Sequence, residues 1–255
     1  MLILGDYIEE LKKLKKGVVD LVICDLNYGV LNKQNKNVQE KNLSQKPNFK
    51  VLWTQLKRVT KPKSIIIFFG TGMYTCEVMM SNKTWWRYNW IWKKGEKRTG
   101  FLNCNERPML NHEDIIIFSK EVGLYQPQMT VGEKNYSPGI IQTAKVDVNG
   151  GNCYGKHKIV EKEDSDKRYP ISVINFDLDN YGVVGQKPLM LAEYLVNTYT
   201  KENDLVVDLK MRGGSFGMVC KSLDRKYLGI DDNEENYLIS RINIHNTMKV
   251  NKIKI

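Results

Sequence analysis

Metal-binding and redox patterns are missing from this chain. Its three histidines, His112, His157 and His245, share no metal-ligand spacing, so no zinc site is expected. Its five cysteines (Cys24, Cys76, Cys104, Cys153 and Cys220) form no Cys-x-x-Cys pair. An odd, scattered set of this kind predicts reduced thiols in a cytoplasm-like compartment. No apolar run approaches the roughly 20 residues that a membrane-spanning helix needs. The amino terminus turns charged at Asp6, which predicts no signal peptide. There is no internal repeat, and only seven of the 255 residues are proline.

What is present is positive charge and a usable core. The formal net charge is +10 and the pI about 9.2. That balance points to a polyanionic partner such as nucleic acid, although solubility alone also accounts for it. Hydrophobic residues make up 42% of the chain, enough for a buried core, and the length suits one α/β domain.

The organising stretch is Val22 to Gly29. Val18 to Cys24 reads as a buried strand that stops abruptly in Asp25-Leu26-Asn27-Tyr28-Gly29. In an open α/β sheet, ligands bind beyond the carboxyl ends of strands. A carboxylate and an aromatic ring three residues apart therefore stand where a substrate would lie. The exocyclic amine of a nucleobase is a poor nucleophile, because its lone pair is delocalised into the ring. Asp25 and the Leu26 carbonyl could accept its N–H groups, and Tyr28 could stack a base taken out of the duplex. Alternatively, Asp25 is an ordinary loop carboxylate and Tyr28 a packing residue.

Around this stretch the chain alternates helix and strand. Asp6 and Glu9 suggest a capping box for a first helix with Ile8, Leu11 and Leu14 on one face, ended by Gly17. Residues 30–48 are polar and read as a surface loop, either a lid over a flipped base or a solvated insertion. Phe49, Leu52, Trp53, Leu56 and Val59 give a helix that Lys61-Pro62 stops. A strand over Ser64–Phe69, a helix over Tyr74–Met80 and an aromatic strand over Trp86–Lys93 follow, with Trp86, Trp90 and Trp92 expected in the core. Residues 93–113 carry Lys93, Lys94, Lys97, Arg98 and Arg107 around Gly95, Gly100 and Phe101. This is either a DNA contact or a solvated loop. Asp114–Lys120 and Ile171–Phe176 read as strands. The irregular span 121–170 between them offers Tyr125, Tyr136, Tyr154, Lys156, His157 and Lys158 as base-reading candidates without singling one out.

The last third has the layout of a nucleotide pocket. Gly185-Gln186-Lys187-Pro188 opens a helix whose buried face is Leu191, Ala192, Leu195, Val196 and Tyr199. Asp204–Asp208 is a strand ending in an acid. A Gly-rich turn, Leu209–Gly217, leads into a helix, and a strand over Lys226–Ile230 ends at Asp231, before a last helix over 234–244. Glycines let backbone approach a ligand closely, and an acid at the next strand end can bond ribose hydroxyls. Alone, such a layout is shared by many functions.

The order of these pieces resembles the β-class DNA amino-methyltransferases, above all the compact phage- and prophage-type adenine-N6 enzymes. The resemblance runs from Leu2 to about Ile244. Asp25-Leu26-Asn27-Tyr28 looks like their Asp-Pro-Pro-Tyr loop, with Leu26 typical of phage members and Asn27 a departure. Thr99-Gly100-Phe101-Leu102-Asn103, Arg107-Pro108, Asn111-His112-Glu113-Asp114-Ile115, Gln126-Pro127-Gln128-Met129-Thr130 and Arg168-Tyr169-Pro170 also look like that subgroup. Gln186-Lys187-Pro188 matches the end of a His-Pro-Thr-Gln-Lys-Pro motif, and Lys226–Asp231 matches the ribose-binding strand.

The resemblance implies an α/β, Rossmann-like methyltransferase fold with a mostly parallel, seven-stranded type of sheet and circularly permuted motif order, catalytic loop first. It implies one methyltransferase-like domain over 1–255, with inserted loops and a target-recognition region within 93–170. It implies S-adenosylmethionine (SAM) as cofactor, with Gln186, Lys187, Asp208, Gly213, Gly214, Ser215 and Asp231 around it, and Asp25, Leu26, Asn27 and Tyr28 as the catalytic loop. Against SAM binding, Arg212 stands where the family has its first glycine, and Phe216 where it has a small hydroxyl residue. Arg212 turned inward would set like charge against a sulfonium. Turned to solvent, it would leave Gly213-Gly214 to restore the turn. The first expectation is thus an adenine-N6 methyltransferase homologue with degraded loops, a pseudoenzyme that binds DNA or a protein partner, cytoplasmic or nucleoid-associated. The alternatives are an active adenine-N6 enzyme with divergent motifs, or a non-enzymatic interaction scaffold.

Overall fold

A computed structural model describes residues 1–29, 46–132, 166–179 and 182–248. It divides into two compact units, Met1–Gln126 with Ile171–Ile255, and Pro127–Pro170. In the smaller unit the described backbone is an antiparallel pair, β6 (Thr130–Val131) with β7 (Lys167–Arg168). The lid suggested within 30–48 falls mostly outside the described residues, as do Tyr136, Tyr154, Lys156, His157 and Lys158.

The larger unit is built on one eight-stranded sheet. In chain order it carries β1 (Leu2–Leu4), α1 (Tyr7–Lys13), β2 (Val19–Cys24), α2 (Phe49–Val59), β3 (Thr60–Gly70), α3 (Met73–Ser81), β4 (Trp86–Lys93) and β5 (His112–Phe118). After the smaller unit come β8 (Val173–Asn175), α4 (Leu189–Tyr199), β9 (Leu205–Asp208), α5 (Ser215–Ser222), β10 (Lys226–Asp231) and α6 (Glu234–Asn246). The spatial order is β1-β10-β9-β2-β3-β5-β4-β8. Only the two pairings made by β5 are antiparallel. Seven of these strands were legible in the sequence. The eighth, β1, has three residues, too few to display a period.

Both faces of the sheet are covered, which is why its strands read as unbroken apolar runs. On β2, Val22 and Cys24 join one apolar layer with Leu52, Leu56 and Phe68. Leu21 and Ile23 join the other with Leu191, Leu195 and Phe216. The Asp6 carboxylate accepts the Ile8 and Glu9 N–H groups and starts α1 as expected. The reciprocal half of the capping box is not made, because Glu9 turns outward to Lys12. Pro62 lies within β3, the helix having already ended at Val59. Trp90 and Trp92 are core residues, but Trp86 is 39% exposed and bonds Asn89. A register shift between Trp86 and Tyr88 breaks the alternation that predicted its burial.

Strands β9 and β2 lie side by side, and the chain winds away from that seam in both directions. Such a seam is a topological switch point, where open α/β sheets hold their ligands. Here it brings the acid ending β9 beside the loop leaving β2. Among the described residues no helix is long and apolar enough to cross a membrane.

Candidate functional site

The site is assembled at the carboxyl ends of β2, β9 and β10 and at the amino end of the antiparallel β5. Asp25 follows β2 directly and is almost wholly buried. A buried carboxylate needs partners, and Asp25 has two cations. Lys187 Nζ lies 2.7 Å from Oδ1, and Arg212 Nε lies 3.1 Å from Oδ2. Burial alone would push the Asp25 carboxyl up, but Lys187 and then Arg212 outweigh it and hold it below the ordinary carboxylate value.

Arg212 shows why a glycine was expected at this point of the turn. Its backbone takes φ +49°, the left-handed region, with a long side chain in place. Its N–H donates to Asp231 Oδ2 at 2.9 Å. Its guanidinium folds inward over the seam toward Asp25, with Nη1 3.4 Å from the Val184 carbonyl. The solvent-facing alternative is therefore not the one adopted. The next residues keep the expected turn. Gly214 has φ +86° and a Cβ there would crowd Ser240, while a Cβ on Gly213 would displace the Gln186 side-chain amide. Ser215 Oγ donates to the Lys187 carbonyl at 2.6 Å and ties the glycine turn to the Gln186-Lys187-Pro188 segment.

The two other strand-end acids are also engaged. Asp208 accepts from the Lys210 N–H at 3.2 Å and the Tyr227 hydroxyl at 3.0 Å. Burial dominates there and pushes its carboxyl up to about 7. Asp231, fully buried, accepts from Arg212 N on one oxygen and from Asn233 N at 3.0 Å on the other, with Asn236 Nδ2 at 3.4 Å. Lys210 Nζ stands between Asp231 and Asp232, paired most closely with Asp232. Between Asp25, Asp208, Lys210, Arg212 and Phe216 only about 10 Å³ remains open. Phe216 itself turns into the apolar layer, its ring 6.4 Å from Phe69, and forms the floor of that space.

On the other side of Asp25 lies Tyr28, its hydroxyl 3.5 Å from both Asp25 and Glu113. One face of its ring is stacked on Tyr74, with centroids 4.8 Å apart. Burial first, then the two carboxylates, raises the Tyr28 hydroxyl well above its ordinary value, so it remains protonated. Leu26 is buried in the apolar layer, and Asn27 is half-buried beside it.

Sequence reasoning assigned no role to Glu113 or Tyr74, and gave Lys94 only a place in the basic loop. Glu113 faces Lys187 at 3.5 Å and Lys94 at 2.5 Å, so Asp25, Lys187, Glu113 and Lys94 form one chain of alternating charge. Lys94 is thus a mostly buried ion-pair partner, lying over the Trp92 ring, and not one of the free cations expected of the basic loop. The signal for Glu113 was its place in Asn111-His112-Glu113-Asp114-Ile115. Nothing marked Tyr74.

The fold has known counterparts. The structure of M1.HpyAVI in complex with SAM superposes with a TM-score of 0.61 at 14% identity, covering 96% of this chain and 98% of that one. The cytosine-N4-specific PvuII DNA methyltransferase gives 0.63 at 15% identity, over 99% and 87%. In sequence, the Type II methyltransferase M.HpaI of Haemophilus parainfluenzae is 25% identical over 245 residues, 92% of this chain and 70% of the relative. M2.LlaDCHI of Lactococcus lactis subsp. cremoris is 39% identical over 56 residues, 22% of this chain and 21% of the relative. The profile of the N6/N4 DNA methylase family matches residues 19–241, nearly the whole chain, and the chain belongs to that family.

Proposed function

We propose that this DNA methylase relative binds DNA and no longer transfers a methyl group to it. The observation that carries the reading is the Arg212 guanidinium on Asp25, which occupies the acceptor that an exocyclic amine would need. Family membership implies SAM as donor, and the residues present do not fit it. The open space of about 10 Å³ compares with roughly 300 Å³ or more for small-molecule sites. Both oxygens of Asp231, the acid in the ribose position, are already bonded within the chain. The cation nearest the seam would face a sulfonium. Against this, both apolar layers and the sheet they cover are intact, so the scaffold is retained. A net charge of +10 supports a polyanionic partner, and the proposed work is on DNA, in the cytoplasm or at the nucleoid.

The test has three measurements on the whole chain: calorimetric titration with SAM, retardation of duplex DNA, and transfer of labelled methyl to DNA. The expected result is no heat of SAM binding, retardation that weakens steeply with salt, and no label transferred. Label transferred to DNA and lost in Asp25→Ala would overturn the reading. No retardation even at low salt would remove its DNA half and leave an interaction scaffold.

One observation favours a second reading, an active methyltransferase of an exocyclic base amine, adenine N6 on the resemblance alone. Asp25 and Tyr28 stand together at a strand end with Glu113 beside them, as amine chemistry requires. In that case Arg212 would have to swing away when donor binds, and labelled methyl would appear on DNA.

A further inference from the structure

We propose that Phe101 and Leu102, at the tip of the loop between β4 and β5, insert into the base stack of duplex DNA. This rests on the DNA-binding reading above and names the element that would deform the duplex. Phe101 is 75% exposed and its neighbour Leu102 is 96% exposed. Two adjacent large apolar side chains at one apex cost solubility and contribute no packing to the fold.

The apex is held in shape, not left loose. Gly100 takes φ +92°, which a side chain rarely adopts, and turns the chain into a single 3-10 turn over Phe101–Asn103. The Asn103 N–H bonds the Gly100 carbonyl and the Cys104 N–H bonds the Phe101 carbonyl, each at 3.1 Å. Below the apex, Thr99 and Leu110 exchange backbone hydrogen bonds of 2.8 and 2.9 Å, and the Lys94 N–H bonds the Asn111 carbonyl. A pre-shaped wedge has little ordering cost to meet on binding.

Its surroundings select a polyanion. Lys93, Lys97, Arg98 and Arg107 are on this loop and its stem, against Glu96 and Glu106. Arg98 and Lys93 each have a loose, exposed contact with Glu96, which phosphate can replace. Apolar side chains flanked by cations are the pattern of proteins that wedge open a base step while gripping the adjacent phosphates. The stem then links the wedge to the seam. Lys94 pairs with Glu113, and Glu113 touches both Tyr28 and Lys187, the partners of Asp25.

Because the wedge needs no base sequence, its test needs none. Closed circular plasmid is relaxed by a topoisomerase in the presence of the protein, and the change in linking number is counted per bound protein, with binding measured separately by retardation. The wild-type chain is expected to unwind the plasmid. Phe101→Ser with Leu102→Ser, both in solvent, should leave thermal stability unchanged, weaken binding about 3- to 10-fold and abolish the unwinding per bound protein. Arg98→Ala with Arg107→Ala should weaken binding and flatten its salt dependence, yet keep the unwinding per bound protein. Equal unwinding by the serine double variant would overturn the proposal and mark the tip as a protein contact. A wild-type chain that binds DNA without unwinding it would also overturn the proposal, leaving DNA binding intact. A wild-type chain that binds no DNA would overturn both.

Discussion

Replacing Asp25 by alanine separates a neutralised site from a poised one. In the native chain Lys187 and Arg212 converge on this carboxylate at 2.7 and 3.1 Å, and their side chains are only 6% and 15% exposed. Removing the anion leaves two buried cations facing each other, with Glu113 at 3.5 Å as the remaining anion for Lys187. Breaking a buried pair from one side costs about 3–5 kcal/mol. For a domain of this size that is a fall of roughly 6–20 °C in Tm. Arg212→Gly should behave quite differently. It gives up a charge-assisted hydrogen bond worth about 1.5–3 kcal/mol. It also releases a left-handed backbone that costs a non-glycine residue about 1–2 kcal/mol, and Asp25 keeps Lys187. The net change lies between a gain of about 0.5 and a loss of about 2 kcal/mol on these figures, below the loss expected of Asp25→Ala. Urea and thermal unfolding followed by circular dichroism measure both variants. Functional carboxylates held in readiness for a substrate are commonly destabilising, so their removal stabilises. A rise in stability on Asp25→Ala, or a larger loss from Arg212→Gly than from Asp25→Ala, would refute the argument that the site is closed by internal ion pairing.

Three further outcomes follow from the same geometry. Arg212→Gly combined with Phe216→Thr should open the space beside Asp208 and give a calorimetric heat with SAM that the native chain lacks; an unchanged flat titration would mean that Arg212 is not what closes the pocket. Asp208 binds a proton in the folded chain up to about pH 7, whereas an unfolded carboxylate releases it near 3.8. Its contribution is therefore present below about pH 4 and is lost as pH rises to 7, on the order of 4 kcal/mol in all. Asp208→Asn should flatten the stability profile across that window, and a profile as steep as wild type would contradict this. Tyr199→Phe removes the acceptor of the buried Trp90 indole N–H at 2.7 Å and the partner of the Tyr88 hydroxyl at 3.0 Å. An orphaned buried donor costs about 1–3 kcal/mol, to be read as a lower urea midpoint at unchanged slope.

The parts of this protein that were legible beforehand are those whose cause is local. Val18 to Cys24 read as a strand because both of its faces are buried, and Asp25 read as a site residue because it ends that strand. Asp208 and Asp231 follow the same logic at the ends of β9 and β10. What could not be read is what depends on distant chain. Glu113 reaches Tyr28 across 85 residues, and the motif around it marks the segment without naming the residue it meets. Trp86 obeyed the strand period on paper and lost it to a register shift. The missing glycine at 212 was visible, but the direction of its side chain was decided by a carboxylate 187 residues earlier.

That last dependence bears on why a methylase framework would persist with its pocket shut. A buried Asp25 has to be paired in any state of the protein, and an incoming amine supplies only N–H groups, not charge. Lys187 alone balances it, with its second contact drawn toward Glu113. A guanidinium entering from position 212 satisfies the second oxygen and, through its backbone N–H, an oxygen of Asp231 as well. One residue thus connects the acceptor loop after β2 to the ribose-position acid after β10 and spans the seam between β2 and β9. The two loops that a methyl donor and a base would hold apart are instead joined to each other. On the proposed reading, the residue that would block transfer is also the one that ties these two loops together, at little net change in stability.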